Sequence, residues 1–170
     1  PKNISYIDAP VSGGEAGAQS GQLSIMAGGE KEAFNSIKNI LEPYTKFIKY
    51  MGPPGSGQLT KMANQICIAG LIQALAEGAN FSKKVGLNTQ DVLEVISKGA
   101  AQSWQMENRW ESMLQDEYEH GFAVDLMKKD LEIVIDKAND SDINVVGFFD
   151  NSKSLSVNQT SYHGATSIQV

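Results

Sequence analysis

Lys61, Asn64 and Gln65 stand at i, i+3 and i+4, a spacing that puts an ammonium and amide groups on one face of a helix. The stretch begins Gly55-Ser56-Gly57-Gln58-Leu59-Thr60, and no acid follows Lys61 until Glu77. A lysine on such a neutral helix either extends to water or is held near a partner group for a purpose. A second constellation is Asp8-Ala9-Pro10-Val11-Ser12-Gly13-Gly14. Glycines let backbone amides approach a ligand closely, so this turn can hold a carboxylate or phosphate on N–H donors and the Ser12 hydroxyl; an ordinary strand-to-loop turn is the plainer reading. The third is Phe122 to Leu131, where Asp125 and Lys129 are four apart in the favourable order for surface support of about 0.3–0.5 kcal/mol. Asp130, beside Leu126 and Leu131, is placed to point inward toward a cation.

These residues need elements to position them. Ile4 to Ala9 reads as a strand ending at Pro10, followed by a small-residue loop from Ser12 to Ala18. Leu23 to Ala27 is a second strand stopped by Gly28-Gly29, and Glu30 to Leu41 carries Ala33, Phe34, Ile37, Ile40 and Leu41 at helical spacing. Pro43 closes that helix and Phe47 to Met51 is a third strand. The resulting β-β-α-β portion of about 50 residues offers little apolar surface to stand alone.

From Gly57 to about Val85 the pattern predicts one long helix whose small residues (Ala63, Ala69, Gly70, Ala74, Ala76, Gly78, Ala79) suit a buried central position. Gly86 to Thr89 is a stop and restart leading into a helix over Thr89 to Lys98. Further helices are expected over Gln102 to Met113 and Asp125 to Asn139, the last with Leu126, Leu131, Val134, Ile135 and Ala138 inward. The tail from Ser152 is polar and weakly patterned.

Composition removes several function classes. The 170 residues carry a formal charge of −6, which disfavours nucleic acid as a partner because phosphate neutralisation needs a basic face. With 41% apolar and 20% charged residues the chain is ordinary globular material. One cysteine, Cys67, excludes an internal disulfide, and no Cys/His cluster suggests a metal site; Cys67 itself reads as buried core. His120 and His163 are isolated and read as loop or surface positions. No run reaches the roughly 18 apolar residues of a membrane span, and no signal-peptide pattern opens the chain, so a cytoplasmic protein is expected. The P-loop order and the strand–GxGxxG–helix dinucleotide fingerprint do not occur.

Taken together, DAPVSGG at 8–14, GSGQLTKMANQ at 55–65 and FAVDLMKKDL at 122–131 resemble, in order and separation, the motifs of the β-hydroxyacid dehydrogenases, the family of 3-hydroxyisobutyrate dehydrogenase and tartronate semialdehyde reductase. The similarity covers roughly residues 1–150. Gly164 to Ser167 looks like a degraded form of that family's C-terminal signature, without its aspartate. The resemblance implies a mostly α chain: the last β-β-α-β portion of a Rossmann-type NAD(P)-binding domain over residues 1–54, then an all-helical 6-phosphogluconate dehydrogenase-like substrate and dimerisation domain over 55–170. It implies Lys61 as catalytic lysine, Ser12, Gly13 and Gly14 as the substrate carboxylate loop, Asn64 and Gln65 as substrate-orienting amides, and Phe122 as a pocket residue. Lys129 and Asp130 resemble the pair near the cofactor.

The chemistry is coherent with that assignment. Reducing an aldehyde leaves a developing alkoxide that needs charge stabilisation and a proton, and one lysine supplies both. Its ordinary pKa near 10.4 is high for the task, so partial burial is expected to lower it while Asp130 acts in the opposite direction. The implied cofactor is NAD or NADP. Because the pyrophosphate fingerprint is missing and the chain opens at Pro1, it reads as the carboxy-terminal part of a longer enzyme, expected to bind dinucleotide poorly and show no turnover alone. The implied partners are a small carboxylate substrate and a second copy of the chain, as a homodimer or tetramer through the helical domain. A non-catalytic oligomerisation module from the same family is the alternative.

Overall fold

The structure, a computed structural model, describes residues 4–118, 121, 123–141, 143 and 145. Phe122, both histidines, the tail from Ser152 and the Gly164–Ser167 signature lie outside the described residues.

The first element group is a four-stranded sheet with two helices. Proline has no N–H for a ladder, and Pro10 splits the expected first strand into β1 (Ile7–Asp8) and β2 (Val11–Ser12). Both run antiparallel to β3 (Leu23–Gly29), with Asp8 opposite Gly28 and Ser12 opposite Ser24. The Pro10 carbonyl keeps the ladder continuous by accepting from Met26 N–H at 3.0 Å. Residues 4–6, expected in the first strand, are not part of it.

The expected small-residue loop after Ser12 is instead a helix, α1 (Gly14–Gln19). Gly13 and Gly14 enter it at φ 133° and 60°, backbone angles that side chains rarely adopt, and the buried Gly17 lets the helix lie against Leu23. This extra helix is the departure from the β-β-α-β reading. Its Gly and Ala content carries no helical apolar stripe, so periodicity could not announce it.

α2 (Lys31–Leu41) connects β3 to the parallel strand β4 (Thr45–Gly52) through a short 3₁₀ turn containing Pro43. Phe34 is the buried anchor of α2, tilted against the Tyr50 ring with centroids 5.5 Å apart, and Tyr50 OH donates to the Gly29 carbonyl at 2.9 Å. Ile40, expected on the inner stripe near the end of α2, is exposed.

α3 (Ser56–Lys84) is the long helix. It ends where Gly86 N–H donates to the Lys83 carbonyl and Leu87 N–H to the Ser82 carbonyl, the double closure expected around a glycine stop. The Asn88 side chain then accepts from the Gln90 and Asp91 amides and starts α4 (Thr89–Ile96). α5 (Trp104–Gln115) is capped by Ser103, and α6 is Val124–Asp140.

The described residues fall into two compact units that meet in sequence between Gln65 and Ile66, inside α3. In the second unit, Leu75 and Ala79 of α3 pack with Met106 and Trp110 of α5, flanked by Val92, Leu93 and Ile96 of α4. A second cluster joins Ala69 of α3 to Met127 and Leu131 of α6. Full burial of a side chain such as Leu131 contributes about 1.5–3 kcal/mol.

Two expectations about inward faces are corrected. Leu126 of α6 is 49% exposed and Met127 takes the core position, with Leu131, Val134 and Ala138 following at helical spacing. The apolar stripe of α6 is therefore one residue out of phase with the sequence reading at its first turn. On α3, Ala69, Ala76 and Ala79 are buried, but Ala63, Ala74 and Cys67 are exposed. Cys67 lies two residues from Ala69, about 200° around the helix, so burying one face leaves the thiol on the other.

Candidate functional site

Asp8 is the residue around which the first unit's motifs are assembled. It sits on β1, 3% exposed, and its two carboxylate oxygens serve different donors. Gly55 N–H donates to Oδ1 at 2.8 Å and Gln58 N–H to Oδ2 at 3.0 Å. Amides at a helix start have no partner within the helix, and a carboxylate there also meets the positive end of the helix dipole. Burial would raise the Asp8 pKa, but the backbone N–H groups of Gly55, Gln58, Asp8 itself and Gly57 outweigh it and hold the carboxyl below its ordinary value. The group is thus an anion locked between strand and helix.

The crossing has no room for side chains. A methyl on Gly57 would run into the Met26 carbonyl and the Asp8 carboxylate, and one on Gly28 would stand 2.6 Å from Asp8 Oδ1. Glycine at 28 and 57 is what lets the α3 head reach the sheet.

One turn beyond this crossing stands Lys61, half-buried. Asn64, also half-buried, donates from Nδ2 to Gln65 Oε1 at 2.8 Å, and Gln65 is 2% exposed. The two amides are therefore linked, with the buried one holding the orientation of its neighbour. Ser12 is half-buried at the end of β2, while Gly13 and Gly14 are exposed at the start of α1. The structure thus brings the Asp8–Gly14 segment and the head of α3 together through Asp8.

Lys129 and Asp130 lie on α6 in the second unit. Lys129 Nζ stands 2.9 Å from Asp130 Oδ1, so the lysine pairs with its sequence neighbour and not with Asp125, which is exposed. With Lys129 largely in solvent, such a pair contributes at most about 1 kcal/mol. Asp130 itself is mostly covered.

The role of Asp8 is what the sequence reading missed. The available signal was a lone acid in a strand with no cation nearby in sequence, together with glycines at 28 and 57 that no φ-demanding turn required. Among the described residues no group of three or more His, Cys, Asp or Glu is placed to hold a metal ion, and no helix is long and apolar enough to cross a membrane.

Residues 55–161 match the family model described as NAD-binding of NADP-dependent 3-hydroxyisobutyrate dehydrogenase, and residues 1–52 match the NAD binding domain of 6-phosphogluconate dehydrogenase. The chain belongs to the 3-hydroxyisobutyrate dehydrogenase (β-hydroxyacid dehydrogenase) family, whose members bind NAD(P). It combines the end of the NAD-binding domain with a helical C-terminal domain.

An uncharacterized oxidoreductase of Shewanella frigidimarina is 56% identical over 138 residues, 81% of this chain and 47% of that protein. The 2-hydroxy-3-oxopropionate reductase of Escherichia coli is 40% identical over 133 residues, covering 78% of this chain and 46% of the reductase. Among solved structures, Mycobacterium tuberculosis 3-hydroxyisobutyrate dehydrogenase with L-serine superposes with a TM-score of 0.75 at 29% identity, covering 82% of this chain and 50% of that one. The chain spans about half the length of the curated relatives it matches.

Among its described residues, the chain does not offer a pyrophosphate grip at its β–α–β unit. Its parallel unit, β3–α2–β4, has Glu30 and Glu32 at the start of α2, where a pyrophosphate would need backbone amides free of negative charge. Gly28, just before that turn, is taken up by the contact with Asp8.

Proposed function

We propose that this chain is the substrate-binding and catalytic part of an NAD(P)-dependent oxidoreductase that interconverts a short 3-hydroxy acid and its semialdehyde. The observation that carries the reading is the half-buried Lys61 on a helix whose head is fastened, through Asp8, to the segment that leads into Ser12, Gly13 and Gly14. The named relatives point to the same substrate class. L-Serine and 2-hydroxy-3-oxopropionate both carry a carboxylate and an oxygen on the third carbon.

In the reductive direction the carbonyl oxygen gathers negative charge and finishes as a hydroxyl. Lys61 stabilises that charge with its ammonium and gives up a proton from Nζ; in oxidation it takes the proton back. Ser12 and the amides of Gly13 and Gly14 hold the carboxylate end. Asn64, oriented by its bond to Gln65, accepts or donates to the substrate hydroxyl. The dinucleotide grip comes from a nucleotide-binding segment outside these residues, so the 170-residue chain alone shows no turnover.

The test joins the chain behind the part of the Shewanella relative that it does not cover and follows NAD(P)H oxidation with short carboxylated aldehydes. The wild-type fusion turns over, and Lys61→Ala loses about 100-fold or more in kcat. Full activity in Lys61→Ala, or no turnover of any such aldehyde by the wild-type fusion, overturns the reading.

We further propose a homodimer or tetramer formed through the helical unit, where Phe81, Val85, Leu87 and Val95 are left exposed. Sedimentation equilibrium that finds only monomer at tens of micromolar overturns this second proposal.

A further inference from the structure

A buried carboxylate that touches neither Lys61 nor the Ser12–Gly14 turn in its hydrogen bonds still governs both. Ser12 lies four positions beyond Asp8, and Lys61 lies three positions beyond Gln58, whose amide Asp8 holds. Neither stretch has slack. β2 is pinned to β3 at Val11 and Ser12, and Gln58 to Lys61 is less than one turn of rigid helix. We propose that Asp8 is a positioning residue for the reaction assigned to Lys61: its carboxylate sets where the catalytic helix leaves the sheet, and so the distance between the lysine and the carboxylate-binding turn.

The details favour a carboxylate over any other side chain. Two amides a turn apart are accepted by two different oxygens of one group, an arrangement that an asparagine, with one acceptor oxygen and a competing NH₂, cannot reproduce. The negative charge meets the positive end of a 29-residue helix in a site shielded from water, where charge-assisted bonds are strong. Glycine at 28 and 57 closes the shell so tightly that the helix head has one seating on the sheet. A hydroxyl–carboxylate substrate of only three or four carbons leaves small tolerance: a displacement of the order of 1 Å at a reacting group costs about 100-fold in rate.

The proposal rests on the oxidoreductase reading, and the experiment separates the two. Asp8→Asn keeps the shape and removes one acceptor and the charge. Gln58→Pro keeps Asp8 intact and removes one donor at a first-turn position where proline is tolerated. Asp91→Asn, an exposed acid at the start of α4, is the control. In the nucleotide-domain fusion, Asp8→Asn and Gln58→Pro lower kcat per folded molecule tenfold or more, shift the KM for the aldehyde less than threefold, and Asp91→Asn changes neither. In the 170-residue chain, amide exchange over Gly55–Lys61 accelerates in both variants, while that of α5 is unchanged. The proposal is overturned if kcat per folded molecule stays at the wild-type value, if activity falls only with the folded fraction, or if exchange at the helix head is unaltered. Should the wild-type and Lys61→Ala fusions be equally active, the oxidoreductase reading fails by itself, and the exchange data still decide whether Asp8 seats the helix.

Discussion

Gly28 on β3 and Gly57 in the first turn of α3 meet backbone to backbone: a methyl on Gly28 would stand 2.7 Å from the Gly57 nitrogen. That approach puts the partner-less amides of a helix start within reach of the Asp8 carboxylate on the neighbouring strand. The sheet thereby ends in a fixed mount for the residues at 61, 64 and 65.

The crossing sets the first prediction. Gly57→Ala forces the helix head off the sheet and destabilises the first unit by about 1–3 kcal/mol in urea unfolding. Gly99→Ala is the comparison, since its nearest neighbour would be the Ile96 carbonyl at an ordinary 3.7 Å, and it changes stability by less than about 0.5 kcal/mol. Equal midpoints for the two variants would contradict the geometry.

Acid should loosen the same mount. The Asp8 carboxyl is held below its ordinary value in the folded chain, so its contribution is fully present above the unfolded pKa near 3.9 and is lost as pH falls through the lower folded value. The urea midpoint of the wild type therefore drops below about pH 4 by more than that of Asp8→Asn. Parallel acid limbs for the two proteins would show that the carboxyl is not held as described.

The two tryptophans report on the helical core separately. Trp110 is 2% exposed and its Nε1 donates to the Thr89 carbonyl at 3.1 Å, fastening α5 to the start of α4; Trp104 is 58% exposed, with the Arg109 guanidinium 5.2 Å from its ring centre. Trp104→Phe leaves a blue-shifted emission resistant to iodide, and Trp110→Phe leaves a red-shifted, quenchable one. Trp110→Ala lowers stability by about 3–5 kcal/mol. Similar quenching of the two single-tryptophan proteins would refute the placement of α5.

Cys67 provides a direct check on the face that α3 buries. Its thiol is exposed, so the folded chain titrates one thiol with a chromogenic disulfide without denaturant. A thiol that reacts only after urea is added would restore the buried position expected from sequence.

Much of the architecture was readable because its signals are local. The Gly86–Asn88 stop and restart, the long helix before it and the acid-led α2 follow from caps, breakers and periodicity within a few residues. The three spaced motifs were equally local, and they fixed the family and the candidate positions Ser12, Gly13, Gly14, Lys61, Asn64, Gln65, Lys129 and Asp130. What misled was phase and composition. Leu126 and Met127 are both apolar and adjacent, so periodicity could not say which faces the core. Small residues from Gly14 to Gln19 carry no stripe, so α1 read as a loop.

Sequence by itself determined the order of most elements and the residue types available for proton transfer, since both depend on neighbours along the chain. Tertiary structure alone decided that Asp8 anchors the head of α3, because its partners at Gly55 and Gln58 lie about fifty positions away in sequence. It likewise decided that Lys129 pairs with Asp130 and that Cys67 faces outward. These depend on which surfaces meet when strands and helices pack, and apolar and glycine residues permit several such meetings until the whole fold selects one.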